Sequence, residues 1–119
     1  MKTPEGRIKD QVKAWLKSRR VASLSAPVAD AVGYYHMYVP SGYGDPALDF
    51  TGCYRGRFWA LETKARGNTP SARQNLIMKV QQDALGLSIW SDDIDDIVER
   101  LGEFFDFVDA TLPNPPAQR

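Results

Sequence analysis

Residues 48–64 read LDFTGCYRGRFWALETK, a segment with the pattern of two β-strands folded back on each other. Both arms are rich in aromatic and alternating residues, and Gly56 at the centre is the only glycine flanked by two arginines. Such a dipeptide favours a tight turn, so we expect a two-residue turn at Arg55-Gly56. Tyr54 then faces Arg57, and this pair sets the register of the whole hairpin.

The predicted register brings three charged side chains onto one face of the hairpin. Asp49 lies directly opposite Glu62, and Lys64 shares their face because side chains alternate along a strand. Opposed like charges are destabilising, whereas a divalent cation between two carboxylates makes the pair favourable, and Mg²⁺ prefers such oxygen ligands. The alternative is a solvent-exposed face with a Glu-x-Lys ion pair, which contributes ~0 to 1 kcal/mol. The other face is apolar and is expected in the core: Phe50, Trp59 and Leu61.

Length and composition indicate one globular domain. The chain has 119 residues, of which 43% are hydrophobic and three are Trp, enough for one core but too short for two domains. No apolar run approaches the roughly 20 residues of a membrane span, and residues 1–4 lack the apolar core of a signal peptide. Cys53 is the single cysteine, which fits a reducing compartment. The expected location is the cytoplasm of a bacterial or phage-infected cell.

The charge is divided unevenly along the chain. Residues 1–82 contain thirteen Lys and Arg against six acidic residues, a net charge of +7. Residues 83–119 contain two against nine, a net charge of −7. A basic region can attract a polyanion such as nucleic acid, although a solvated basic face is the alternative. The acidic end has the pattern of a solvated helix face.

The first helix is predicted from Thr3 to about residue 20. Thr3 suits the N-cap, proline suits the first helical position, and an apolar stripe follows, made of Ile8, Val12, Trp15 and Leu16. Glu5 precedes Ile8 by three residues, so it lies on the inward-facing side and can point towards the hairpin. The alternative is a first-turn Glu that only stabilises the helix dipole.

A second helix is predicted to begin at Thr69-Pro70 and to end at Gly86. Its buried side should carry the apolar residues Leu76, Ile77, Val80 and Ala84. Gln74 lies three residues before Ile77, on the same inner edge.

Strands are predicted over 34–39 and 87–90, and a short helical turn over 28–32. Ser91 is the expected cap of a C-terminal helix with the apolar stripe Ile94, Ile97, Val98, Leu101, Phe105 and Val108. The domain should therefore span 1–110, and the proline-rich residues 111–119 are expected to form a disordered tail.

The order helix, strand, strand, strand, helix, strand, with Asp-x₁₂-Glu-x-Lys across the second and third strands, resembles the PD-(D/E)xK nuclease superfamily. Within it, the chain is similar to the VRR-NUC family, the virus-type replication and repair nucleases. Four separated elements carry this resemblance over about residues 3–90: Glu5, GYGDPALDF at 42–50, ETK at 62–64 and ARQ at 72–74.

The resemblance implies an α/β nuclease core, with a mixed central sheet and an added C-terminal helix, that uses Mg²⁺ or, as a substitute, Mn²⁺. Metal ligands would be Asp49, Glu62, the Thr63 carbonyl and Glu5. Lys64 would be the catalytic lysine, assisted by Gln74 and by Glu5. In one respect the chain departs from the family pattern, because the motif proline usually precedes the Asp directly. Here Ala47-Leu48 separates Pro46 from Asp49, which makes Asp45 a rival; the hairpin register favours Asp49.

The implied function is metal-dependent, structure-selective DNA endonuclease activity on branched DNA such as Holliday junctions. A symmetric homodimer is expected, because one metal site cuts one strand and a junction needs two related cuts. Aromatic residues that could line its interface are Tyr34, Tyr43 and Phe104, and possible phosphate contacts are Arg55, Arg57, Arg66 and Arg73. The alternatives are a monomeric nuclease of flaps or single strands, a non-catalytic nucleic-acid-binding module, and an interaction protein whose acidic C-terminal helix docks a partner.

Overall fold

A five-stranded mixed sheet carries three helices in the computed structural model, which describes residues 2–111. The elements in chain order are α1 (Pro4–Ser18), β1 (Val21–Ala22), β2 (Gly33–Met37), β3 (Phe50–Tyr54), β4 (Arg57–Thr63), α2 (Ala72–Asp83), β5 (Leu87–Ser91) and α3 (Ile94–Thr111). The strands lie side by side in their sequence order. Neighbours β2, β3 and β4 pair antiparallel, whereas β1 pairs parallel to β2 and β5 parallel to β4. The predicted α/β class with a mixed central sheet is confirmed.

The β3–β4 hairpin has the predicted register. Tyr54 pairs with Arg57 and Phe50 pairs with Leu61, so the turn contains only Arg55 and Gly56. Both turn residues have positive φ, 48° and 86° respectively. Positive φ at both central positions is the property of a type I′ turn, whose twist matches that of the two strands.

The helices cover the two faces of the sheet unequally. On one face, α1 and α3 enclose the larger core, to which the hairpin contributes Phe50, Tyr54, Trp59 and Leu61. On the other face, α2 covers a smaller cluster made of Leu48, Ala60 and Met78. Strand β4 is buried from Trp59 to Thr63, because it lies between β3 and β5 and is covered from both sides. Its continuous burial is what removes Glu62 from solvent.

The first helix agrees with its prediction. Thr3 is the N-cap, and its hydroxyl accepts a hydrogen bond from the Gly6 N–H at 3.1 Å. Val12 and Leu16 are fully buried, while Ile8 and Trp15 pack against the core with part of their surface exposed.

The second helix differs from its prediction at both ends and in its buried side. Its N-cap is Ser71 and not Thr69, because Ser71 and Gln74 form a reciprocal capping box, and the helix ends at Asp83, before Gly86. Leu76 and Val80 were predicted to be buried but are 63% and 60% exposed. The buried residue is Met78, which packs on Leu48 and Ala60. A helix that covers only one edge of the sheet buries a narrow stripe and leaves the other apolar residues in solvent.

Three other predictions need correction. Residues 28–32 contain no helix, and the short strand β1 precedes them instead. Ser91 belongs to β5, whereas Asp93 caps α3 by accepting a hydrogen bond from the Asp95 N–H at 2.9 Å. Thr111 is the last residue of α3, and the remainder of the predicted tail, 112–119, lies outside the described residues.

None of the helices within residues 2–111 is both long enough and apolar enough to cross a bilayer.

We expect Gly52→Ala to destabilise the fold, because Gly52 lies in β3 directly against the Trp59 ring. A Cβ at this position would approach that ring to 2.7 Å and would clash with the Tyr34 carbonyl oxygen. Overpacking of this kind lowers the free energy of unfolding by about 1–3 kcal/mol, which urea denaturation measures.

The matched control is Gly102→Ala in α3, where the nearest atom to the added Cβ is 3.7 Å away on Trp15. This change should raise the stability by up to about 1 kcal/mol, since alanine favours a helix more than glycine does. Equal effects of the two substitutions would contradict the packing described for β3.

Candidate active site

Four elements converge at the end of the hairpin that lies opposite its turn. Asp49 directly precedes β3, and Glu62 lies near the end of β4. Glu5 comes from the first turn of α1, while Gln74 comes from the first turn of α2. One carboxylate oxygen from each of Glu5, Asp49 and Glu62 lies within 4.8 Å of the other two. The three residues that the sequence nominated as side-chain metal ligands are therefore brought together, and we call them the carboxylate cluster.

Asp49 is held by donors on β4. Its Oδ2 atom accepts hydrogen bonds from the Thr63 N–H at 3.0 Å and from the Thr63 hydroxyl at 2.8 Å. Its Oδ1 atom lies 3.5 Å from the Lys9 ammonium. The Asp49 N–H in turn donates to Glu62 Oε1 at 3.1 Å, so the two carboxylate residues are joined directly. This arrangement fixes the Asp49 side chain while Oδ1 has no donor closer than Lys9 among residues 2–111.

Glu62 is the most deeply buried member of the carboxylate cluster, with 2% of its surface exposed. Its Oε2 atom accepts a hydrogen bond from the Gln74 side-chain amide at 3.0 Å and lies 3.6 Å from the Lys64 ammonium. Burial, followed by the negative charge of Asp49, raises the pKa of Glu62 from 4.5 to about 7, while Lys64 acts in the opposite direction. Glu62 therefore stays protonated to a higher pH than an exposed glutamate, because burial and the nearby charge of Asp49 disfavour its ionised form.

Gln74 connects helix capping to the carboxylate cluster. Its side-chain oxygen accepts a hydrogen bond from the Ser71 N–H at 2.9 Å, which completes the capping box. This bond turns the amide nitrogen towards Glu62, where it donates at 3.0 Å. The orientation of Gln74 is thus fixed from both ends of its amide group.

The structure separates the two rival aspartates. Asp45 is exposed and does not belong to the carboxylate cluster, to which Asp49 contributes. Thr63, predicted to ligate a metal through its carbonyl, contacts Asp49 through its N–H and its hydroxyl. The carbonyl role of Thr63 stays a prediction.

Sequence reasoning missed Lys9, whose ammonium group lies against Asp49. The available signal was its spacing, because residues four apart on a helix lie on the same side. Lys9 follows Glu5 by four residues, so an inward-facing Glu5 predicts that Lys9 also faces the hairpin.

The arginines nominated as phosphate contacts are dispersed. Arg55 lies in the turn, at the far end of the hairpin, where it forms an ion pair with Asp109 at 2.6 Å. Arg66 lies 3.5 Å from Asp93, and the other two, Arg57 and Arg73, are exposed.

The chemistry of the carboxylate cluster fits a hard divalent cation. Three carboxylates within 4.8 Å of one another provide the oxygen ligands that Mg²⁺ prefers. Because Asp49 raises the pKa of Glu62, a cation between them would relieve an existing repulsion.

Comparison with protein-family models, curated proteins and solved structures gives no significant match to this chain.

We expect the stability of the metal-free protein to fall as the pH rises from about 4.5 to about 7. The unfolded chain releases the Glu62 proton near pH 4.5, whereas the folded protein holds it to about pH 7. Within this window the folded state binds more protons, so each increment of pH lowers the free energy of unfolding. Urea denaturation in EDTA across this range measures the slope.

Glu62→Gln should remove this component of the pH dependence, so its stability relative to wild type should increase as the pH rises. Asp45→Asn is the control and should leave the slope unchanged, since Asp45 lies outside the carboxylate cluster. Parallel curves for wild type and Glu62→Gln would contradict a raised pKa at this residue.

Proposed function

We propose that this protein is a divalent-metal-dependent nuclease that hydrolyses phosphodiester bonds in DNA. The observation that carries the proposal is the carboxylate cluster with a lysine beside it, since the Lys64 ammonium lies 3.6 Å from Glu62. Three carboxylates alone would suit many metal proteins, but a cation beside them adds a group that can interact with a phosphate. The resemblance of the sequence motifs to the VRR-NUC family points to the same chemistry.

Asp49, Glu62 and Glu5 would hold the ion. When bound, Mg²⁺ would supply an activated water and would stabilise negative charge on the phosphate oxygens.

The other residues orient the groups that react. Thr63 fixes Asp49 through two hydrogen bonds, and Gln74 fixes Glu62 through one. Lys64 would donate hydrogen bonds to the attacking water or to a phosphate oxygen and would offset the negative charge that develops there. Its position is constrained by the backbone, because the Lys64 N–H donates to the Ser91 carbonyl at 3.0 Å.

We expect Asp49→Asn, Glu62→Gln and Lys64→Ala each to reduce Mg²⁺-dependent cleavage of DNA by about 100-fold or more. The first two remove ligands, and the third removes the positive charge at the reacting phosphate. Cleavage of labelled duplex, flap and four-way-junction DNA, with Mg²⁺ and with EDTA, measures the effect. Asp45→Asn is the matched control and should cleave like wild type.

Metal binding can be measured separately from cleavage. Mg²⁺ should raise the melting temperature of wild type and of Lys64→Ala, but not that of Asp49→Asn, because a ligand that binds only the folded state stabilises it. Full cleavage by Asp49→Asn, or loss of cleavage in Asp45→Asn, would refute the assignment. DNA binding without cleavage under any divalent cation would leave the non-catalytic module as the function.

The more specific proposal is that the nuclease acts on branched DNA as a symmetric homodimer. Support for a second copy comes from a groove of about 620 Å³ at the turn end of the hairpin, lined in part by Phe58, Phe104 and Phe107. Phe107 is 64% exposed and Leu85, at the rim, is 96% exposed. Burial of such apolar surface favours association. The hairpin turn and the carboxylate cluster lie at opposite ends of β4, so pairing here leaves both clusters open.

We expect wild type to sediment as a dimer at micromolar concentration and Phe107→Glu to sediment as a monomer, because a carboxylate in a buried interface is unfavourable. Leu76→Glu is the matched control, since Leu76 is 63% exposed on α2 and does not line this groove. Its mass should stay that of the dimer. A monomeric wild type that cuts junction and plain duplex equally would refute this proposal.

A further inference from the structure

A second groove, of about 530 Å³, lies beside the outer edge of β2. Strand β1 is two residues long and pairs with β2 only as far as Tyr34. Beyond Tyr34 no other strand within residues 2–111 covers this edge. Lys13 and Lys17 of α1 line the groove together with Tyr34 and His36 of β2. We call it the lysine groove.

The two lysines of this groove differ from every other lysine in the chain. The other four, Lys2, Lys9, Lys64 and Lys79, each lie within 4.0 Å of a carboxylate oxygen. No carboxylate within residues 2–111 lies that close to Lys13 or Lys17, and both are exposed. Two uncompensated positive charges one helical turn apart, about 6 Å along the axis, favour an anionic ligand with repeated charges.

A row of lysines on α1 leads from the carboxylate cluster to the lysine groove. Lys9, Lys13 and Lys17 follow one another at intervals of four residues and therefore form one stripe along α1. The stripe begins at the carboxylate cluster, where Lys9 lies 3.5 Å from Asp49, and runs into the groove. A nucleic-acid strand that enters the carboxylate cluster can therefore continue along a row of positive charge.

The aromatic residues of the groove favour a single strand over a duplex. The rings of Tyr34 and His36 lie on the same face of β2, with centroids 5.7 Å apart and planes tilted by 48°. This face is opposite to the one on which Tyr35 packs beneath α1, so a strand that contacts both the rings and the lysines crosses the open edge of β2. Bases can stack on such rings only when they are unpaired and unstacked from their neighbours. A volume of about 530 Å³ accommodates a ligand of drug size, about one or two nucleotides.

We propose that the lysine groove binds a single-stranded segment of nucleic acid, with phosphates on Lys13 and Lys17 and a base stacked on Tyr34. The inference rests on the proposed nuclease function for where that strand leads. The binding itself is measured without cleavage. It defines the substrate as DNA that carries an unpaired segment next to the position that is cut.

The test is fluorescence anisotropy with a labelled oligothymidylate and a blunt duplex of equal length, with Ca²⁺ in place of Mg²⁺, over a series of salt concentrations. Each of Lys13→Gln and Lys17→Gln should weaken single-strand binding and reduce the slope of log K against log salt by about 0.7. The double substitution should reduce the slope by about 1.4. Lys79→Gln is the matched control, because it removes a lysine outside the groove that is already paired with Asp83. Its slope should equal that of wild type.

Tyr34→Ala tests the stacking contact. It should weaken single-strand binding by about five- to 150-fold without changing the salt slope, and Tyr34→Phe should bind like wild type. Circular dichroism and melting temperature verify that each variant is folded.

Unchanged salt slopes for Lys13→Gln and Lys17→Gln would overturn the inference, as would a wild type that binds neither oligonucleotide. The open edge of β2 would then be a place for an extended peptide. The two proposals fail separately. Wild type that cleaves DNA while its lysine variants keep the wild-type slope refutes only the groove, and groove-dependent binding without cleavage refutes only the nuclease.

Discussion

The opposition of Asp49 and Glu62 across the hairpin is the constraint on which the rest of the site depends. A turn of only two residues fixes the register, and the register leaves the two acidic residues facing each other at the open end. Burial of β4 then makes this repulsion costly, because a charge that water no longer screens interacts more strongly with its neighbour. The surrounding polar groups, including Thr63, Gln74 and Lys64, can each be understood as partial compensation for it.

The neighbouring polar and positively charged groups only partly offset the repulsion between Asp49 and Glu62. Two lysines approach the carboxylate cluster, at 3.5 Å from Asp49 and 3.6 Å from Glu62, yet the pKa of Glu62 is still raised to about 7. A purely structural ion-pair network would be expected to lower the pKa of its acids. Strongly perturbed pKa values of this kind, produced by burial together with a nearby like charge, cluster at functional sites.

Features that depend on neighbouring residues in the chain could be predicted from the sequence. The hairpin register follows from Arg55-Gly56, and the start of α1 follows from Thr3 and Pro4. The proximity of Glu5 to the hairpin also followed, since the apolar stripe of α1 determines which side faces inward. Each of these signals lies within a single helix or a single hairpin, so it can be recognised without knowing how distant parts of the chain pack together.

Features that depend on the packing of distant elements could not be predicted. The start of α2 is not among them, because Ser71 and Gln74 form a capping box, a signal contained in four consecutive residues that marks the helix start more specifically than Thr69-Pro70. Met78 is buried in place of Leu76 because the narrow contact of α2 with the sheet selects one stripe among several apolar ones. The distance of 3.5 Å between Lys9 and Asp49 depends on how α1 is placed against the sheet, although the side of α1 on which Lys9 lies follows from its spacing to Glu5.

The turn end of the hairpin, in contrast to the carboxylate cluster, is held by contacts unrelated to any ligand. The Tyr54 ring stacks on Phe105 at a centroid distance of 4.0 Å, and its hydroxyl donates to Asp109. The two ends of the hairpin are therefore anchored by separate sets of contacts, so a substitution in the carboxylate cluster can change the site while the packing of the turn on α3 is kept.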